Sequence, residues 1–180
     1  MYNNIIMNKK LLYILLITII LHSCKKIENI TVIFDDVTVD IPENFQQNYI
    51  NNMVEYNPNL KIVDSYGIET KTSIYNVSYT KSNYPIDILA SKEGIINGVI
   101  NNKVLKEVKV EKEGYYKEQT NAYDMLISYY YGPNKTYQRS FIMLNGNNII
   151  QITAIYNANS KKDDKTINGI INSIKEKPNN

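Results

Sequence analysis

The 180-residue chain sets 20 Lys and Arg against 18 Asp and Glu, a formal charge of +2, and holds one His, one Cys and no Trp. A lone Cys excludes an internal disulfide framework, and one His beside one Cys leaves little from which to build a zinc or copper site. A charge this close to zero leaves no basic excess to neutralise phosphates, which argues against nucleic-acid binding.

At the amino end, Lys9 and Lys10 form a positive stretch, and residues 11–21 follow as an apolar run. As a helix, that run would span roughly 16 Å at about 1.5 Å per residue. A bilayer core needs roughly 30 Å, so the layout reads as a cleaved export signal rather than a membrane span. Leu21-His22-Ser23-Cys24 closes the run. It resembles the lipobox of bacterial lipoproteins, with Leu21, Ser23 and Cys24 in the pattern and His22 at its most tolerant position. The resemblance implies that Cys24 becomes the first mature residue and carries a diacylglyceryl thioether with an added acyl chain. Two or more acyl chains anchor stably, at about 0.8 kcal/mol per buried CH₂.

Met7-Asn8-Lys9-Lys10 makes a tighter positive stretch than one starting at Met1, which leaves Met1 and Met7 as alternative starts. Cleavage would remove Lys9, Lys10 and His22 but no acid, leaving 18 basic and 18 acidic residues and no imidazole. Ser-His-Asp and Cys-His catalysis both need that imidazole. The organisation expected is a signal peptide over 1–23, a short tether over 24–29 and one globular domain over 30–177, long enough for a proper core. Residues 25–29 reach roughly 17 Å when extended, which holds the domain near the lipid surface. Lys25-Lys26-Ile27-Glu28 lacks the acids that follow the cysteine in surface-exported lipoproteins, which favours the periplasmic side of the outer membrane.

Further along, residues 30–41 read as one extended strand, with Val37, Val39 and Ile41 alternating against Thr38 and Asp40. Pro42 suits a first helical position, and Phe45, Tyr49 and Met53 at i, i+4 and i+8 predict a short amphipathic helix ending before Asn57-Pro58. Residues 60–66 and 72–80 read as strands with Gly67 between them. Pro85 opens a second helix bearing Leu89, Ile95, Ile96, Val99 and Ile100. Its Gly94 and Gly98 have small-xxx-small spacing, and because Lys92, Glu93 and Asn97 preclude a span, the pair predicts close approach of this helix to a sheet.

Val108 and Val110 alternate with Glu107, Lys109 and Glu111, a strand with one wet face. Residues 123–131 form the next strand, ended by Gly132-Pro133-Asn134. Residues 137–144 and 149–156 are joined across Asn145-Gly146, which predicts a type I′ hairpin. Ser160 and Asp163 form a capping box, and Ile167, Ile170, Ile171 and Ile174 share one helical stripe. Lys175 and Lys177 complement the carboxyl end of that helix, and Pro178 stops it.

This order predicts an α+β architecture, an antiparallel sheet sandwiched by helices. The stretch Val37-Thr38-Val39-Asp40-Ile41-Pro42-Glu43-Asn44-Phe45 is similar to the opening of PsbP-like and Mog-type domains. Residues 149–156 followed by 167–174 are similar to their last strand and closing helix. The likeness covers most of residues 30–175. It implies a non-enzymatic adaptor or accessory subunit and brings no cofactor, metal ligand or catalytic residue.

Asp35-Asp36 and Asp163-Asp164 lack the Gly and distal Glu of a calcium loop, so they read as a solvated turn and as charges at a helix amino end. Glu107, Glu111 and Glu113 stand beside lysines, and no carboxylate pair of the glycosidase kind is singled out. Of 16 tyrosines, 14 follow the cleavage point. Tyr115-Tyr116 and Tyr129-Tyr130-Tyr131 would put rings on both faces of their strands, a Tyr-rich face suited to a glycan or a protein partner, with Arg139 placed to stack on a ring.

The expected function is a lipid-anchored, non-enzymatic binding or accessory module of the cell envelope. Its partners would be the bilayer through acylated Cys24 and an envelope protein or glycan, with no cofactor. The alternatives are a carboxylate-dependent hydrolase acting near the membrane, which needs a pocket with two facing acids, and a toxin-immunity lipoprotein.

Overall fold

The computed structural model describes residues 28–49 and 59–176. The signal segment, Cys24, Met53, Asn57-Pro58, Lys177 and Pro178 therefore lie outside the described residues.

The first expected strand is a hairpin. Strands β1 (Asn29–Phe34) and β2 (Val37–Pro42) pair antiparallel, with Phe34 opposite Val37. Asp35, at φ 53°, makes the reversal, a backbone state that Asp tolerates better than most residues. The turn explains the change of parity in the apolar positions. Val32 and Phe34 before it, and Val37, Val39 and Ile41 after it, are all buried on one side.

No helix starts at Phe45. Phe45 is buried, strand β3 (Gln46–Gln47) pairs with Tyr66 and Gly67, and Asn48 takes a left-handed φ of 57° that a continuing helix would not permit. Strands β4 (Leu60–Glu69) and β5 (Ser73–Ser82) are longer than expected, so Gly67 falls inside β4 rather than between the two. A Cβ there would stand 2.5 Å from the Tyr49 ring and 2.6 Å from the Tyr75 carbonyl oxygen. Close packing, not a turn, is what Gly67 permits.

Helix α1 (Ile88–Ile100) starts three residues later than Pro85 indicates. Asp87 caps it, accepting from the Leu89 N–H at 2.8 Å. Ile88 and Val99 are buried, whereas Leu89 and Ile100 stay exposed. Nothing lies within 4 Å of a Cβ built on Gly94 or Gly98, so the pair does not mediate a close approach.

Strands β6 (Lys106–Tyr115), β7 (Ala122–Tyr131), β8 (Asn134–Asn145) and β9 (Asn148–Asn157) form the expected meander. With β3–β5 they make a seven-stranded antiparallel sheet in the order β3-β4-β5-β9-β8-β7-β6. Asn145 pairs with Asn148, so the tight turn is Gly146-Asn147, one residue later than expected. Only Gly146 takes positive φ, 59°, the type II′ pattern rather than I′.

Helix α2 (Lys161–Asn172) buries Ile167, Ile170 and Ile171, as its stripe predicts. It ends before the lysines. Lys175 and Glu176 instead form strand β10 (Lys175–Glu176) beside β2, which makes a small three-stranded sheet β1-β2-β10.

The large sheet is thus covered on both faces. One face presents Tyr75, Val77, Tyr79, Phe141, Met143, Ile150 and Ile152 to the β1–β2 hairpin and α2. The other presents Tyr123, Met125, Ile127 and Ile142 to α1. Each such buried side chain contributes about 1.5–3 kcal/mol relative to exposure. Beyond α1 this second face becomes polar but stays buried, with Ser65, Asn76, Ser78 and Ser140 packed on it. The Asn76 Oδ1 there is a buried acceptor without a hydrogen-bond partner among the described residues.

Candidate binding clefts at the ends of the strands

Three tyrosines whose rings belong to the core send their hydroxyls to aspartates on the covering layer. Tyr75 on β5 donates to Asp163 Oδ1 in the first turn of α2, and Ser73 Oγ donates to Oδ2 of the same carboxylate at 2.9 Å. Tyr156 on β9 donates to Asp164 Oδ1 at 2.6 Å. Tyr79 on β5 donates to Asp35 in the hairpin turn, where Lys81 Nζ also approaches to 3.4 Å. The acidic doublets therefore do more than sit in water. They fasten α2 and the hairpin to the sheet.

The physical consequences follow the partners. Burial pushes the Tyr75, Tyr79 and Tyr156 hydroxyls far above the ordinary phenol range, and the facing carboxylates push them further. For Asp163, burial pulls upward, but hydrogen bonds from Ser160, Tyr75 and Ser73 together outweigh it and hold the carboxyl below its usual value. The Tyr79 hydrogen bond does most to lower Asp35, with burial opposing it and Lys81 assisting. Asp163 is thus a charged acceptor already engaged with its neighbours, which disqualifies it as a poised proton donor.

Two clefts open on either side of the β4–β5 turn, sharing Thr70, Lys71, Thr72 and Ser73 as a common wall. The first, of about 590 Å³, lies between the open end of the hairpin (Asn29, Pro42), Phe45 and the start of α2 (Ser160, Lys162, Asp163). Lys71, Lys162 and Lys165 stand around it, and Asp163 is its one acid among the described residues. The second, of about 690 Å³, lies at the carboxyl end of α1 and the ends of β7 and β9. Tyr129, Tyr131, Ile74, Val99, Leu105 and Ile155 give it aromatic and aliphatic walls. Asn102, Asn134, Asn157, Thr136 and Gln138 supply neutral polar groups, and Glu69 is its one acid among the described residues. Both volumes fall in the range of about 300–1,000 Å³ usual for small-ligand pockets. Among the described residues, neither has the two facing carboxylates that glycosidase-type hydrolysis requires.

The tyrosines expected on an open face are divided. Tyr75, Tyr79, Tyr123, Tyr129 and Tyr156 are buried, and Tyr84, Tyr115 and Tyr131 are exposed. Tyr115 pairs with Tyr123 at one end of β7, and Tyr131 ends the same strand eight residues on. At about 3.3 Å per residue, those two rings are roughly 26 Å apart and form no common patch.

Arg139 does not serve as a stacking cation. Its Nε and Nη2 bind the Asp124 carboxylate at 3.0 and 2.8 Å, and Nη1 donates to Asn168 Oδ1 at 2.5 Å, joining β7, β8 and α2. Sequence reasoning had no signal for this pair, because 15 residues separate the two in the chain and only the β7–β8 register brings them together. Asp163 was identified as a cap, and Ser160 Oγ does accept from its N–H at 3.3 Å. The reach of its carboxylate to Tyr75, 88 residues away, was not visible.

A seven-stranded antiparallel sheet with a hairpin and a closing helix on one face and a second helix on the other is the α+β fold of PsbP-like and Mog-type domains. The cyanobacterial PsbP protein of Synechocystis sp. PCC 6803 superposes with a TM-score of 0.58 at 8% identity, over 83% of this chain and 91% of that one. The Ran-binding protein Mog1p of Saccharomyces cerevisiae superposes at 0.50, also at 8% identity, over 84% of this chain and 96% of its own. No family model and no curated protein sequence matches the chain. The fold expected from the element order is therefore the fold found. Among the described residues, no helix is long and apolar enough to cross a membrane.

Proposed function

We propose that the protein is a lipid-anchored, non-enzymatic binding module of the cell envelope, tethered through acylated Cys24 on the periplasmic side of the outer membrane, where it holds another envelope component. The observation that carries this reading is the position of Asn29. It is the first residue of β1 and also lines the smaller cleft. Four residues, 25–28, lie between it and Cys24, so an extended tether of five residue steps keeps that cleft within roughly 17 Å of the acyl chains. A domain held so close has its clefts at the height of membrane-proximal partners.

Binding is favoured over hydrolysis because each cleft carries one acid among the described residues, and Asp163 is held ionised by its hydrogen bonds.

The test is crosslinking of the full-length protein in its own envelope, with photoreactive groups placed at Lys71 and Lys162, followed by mass spectrometry. A discrete envelope component captured by the wild type, and lost when Cys24→Ser releases the chain from the membrane, supports the reading. Recovery of the wild-type chain in the soluble fraction with no crosslinked species would overturn it.

A further inference from the structure

The larger cleft contrasts with the smaller one in its chemistry. It is walled by aromatic rings and aliphatic side chains, and its polar groups are almost all uncharged. Lys71 and Glu69 are the charged residues of its lining, one of each sign. Such a site has no cationic cluster with which to hold a phosphate or carboxylate, and no acidic cluster for a cation.

Tyr131 stands 62% exposed at the rim, and Tyr129 lies buried below it on the same face of β7. An exposed phenol ring held on a rigid strand end offers a flat apolar platform with a polar edge. Around it, side-chain amides have unused capacity. Asn102 Oδ1 accepts from the Val104 N–H at 3.1 Å, and Asn157 Oδ1 accepts from the Asn159 N–H at 3.0 Å. Those bonds fix both side chains while their amide nitrogens donate to nothing among the described residues. Asn134 makes no side-chain hydrogen bond among the described residues, and Thr136 adds a hydroxyl. Each amide offers two donors and an acceptor, so the rim can pair with groups that both donate and accept.

We propose that this cleft binds an uncharged oligosaccharide, with one sugar ring lying flat on Tyr131 and its hydroxyl or acetamido edge paired to Asn102, Asn134 and Asn157. A pyranose has the two surfaces this lining matches, an apolar C–H face and an edge of hydroxyls, and no charge. Sites whose polar groups are paired by ligand hydroxyls discriminate strongly against ligands that lack them. The inference deepens the binding role proposed above, on which it rests, and assigns the ligand class to one cleft.

The test is isothermal titration of the full-length chain, purified in a sugar-free zwitterionic detergent, with chitotetraose and with maltotetraose. Binding of at least one of the two at about 1 mM or tighter is expected. Loss of the platform in Tyr131→Ala should weaken it about fivefold or more. Asn134→Ala should weaken it as well, and Tyr84→Ala, at an exposed ring outside the cleft, should leave it unchanged. Failure of both sugars to bind, or binding that Tyr131→Ala and Asn134→Ala leave unaltered, overturns the inference. If neither sugar binds while envelope crosslinking still captures a protein, the sugar cleft falls and the binding module stands.

Discussion

Tyr75→Phe deletes one hydroxyl and leaves the ring in place, so it isolates the bond that fastens α2 to β5. Tyr75 is 5% exposed, and its ring also packs on Phe45 at 6.0 Å between centroids, a contact the variant keeps. What disappears is a hydrogen bond to an ionised carboxylate, which contributes about 1.5–3 kcal/mol. Asp163 retains the Ser73 bond at 2.9 Å, so the loss should be about 2 kcal/mol and not that of an abandoned buried charge. Asp163→Ala should cost more, about 3 kcal/mol, because it orphans both hydroxyls and removes an acid from the first turn of a helix. The double variant should cost less than the sum, with a coupling of about 1–2 kcal/mol.

Urea unfolding followed by circular dichroism measures all four proteins, and the midpoint should fall by roughly 1 M for Tyr75→Phe with the slope unchanged. The pH dependence has a definite sign. Asp163 is held below its ordinary value of 3.8, so its contribution is present above pH 3.8 and is lost as pH falls through the lower folded value. Wild type and Tyr75→Phe should therefore converge in acid. A Tyr75→Phe protein within about 0.5 kcal/mol of wild type at neutral pH would refute the reasoning, since that is the range of an ordinary surface change.

Three further outcomes follow from the packing. Gly67→Ala should destabilise by about 2 kcal/mol, because its Cβ meets the Tyr49 ring and the Tyr75 carbonyl. Gly94→Ala, with open space around it in a helix interior, should stabilise by about 0.5–1 kcal/mol, and equal urea midpoints for the two variants would contradict both assignments. Arg139→Ala should cost about 3 kcal/mol, because it leaves the Asp124 carboxylate, 5% exposed, facing only Lys112 at 3.5 Å. Adding Asp124→Asn should recover part of that loss, and no recovery would argue against the pairing. Tyr75, Tyr79 and Tyr156 have raised values, so their stability is complete below pH 10 and declines as pH rises beyond it. Stability measured by urea unfolding that stays level through this alkaline range would contradict their burial.

The elements that local pattern determines were legible in the sequence. The Ile167, Ile170 and Ile171 stripe, the Ser160 cap and the meander of strands from Lys106 to Asn157 all appear as read. The first hairpin was missed although it left a trace. Val32 and Phe34 are even-numbered and Val37, Val39 and Ile41 odd, and one continuous strand would send the two sets to opposite faces. The Gly146 turn slipped by one residue because Asn-Gly reads as the two central positions of a turn, whereas the ladder holds Asn145 in its last pair with Asn148. Lys175 lies after the helix because pairing with Thr38 of β2 competes for the chain there.

The sites were less visible, for a different reason. Tyr75 and Asp163, or Arg139 and Asp124, meet only through sheet register and the docking of α2. The larger cleft gathers residues from β5, α1, β7, β8 and β9, none of which carries a local motif. Tyrosine abundance does not by itself place the rings. A phenol on a strand gains a buried carboxylate as readily as it faces water, and Tyr75, Tyr79 and Tyr156 took the first course.

The most direct test of the proposed role is the intact mass of the chain extracted from its own envelope membranes, followed by mapping of its first peptide. The expected chain begins at Cys24, lacks residues 1–23, and is heavier than that sequence by a diacylglyceryl group and an acyl chain on Cys24. A chain that retains its first 23 residues, or one whose Cys24 is an unmodified thiol, would contradict it.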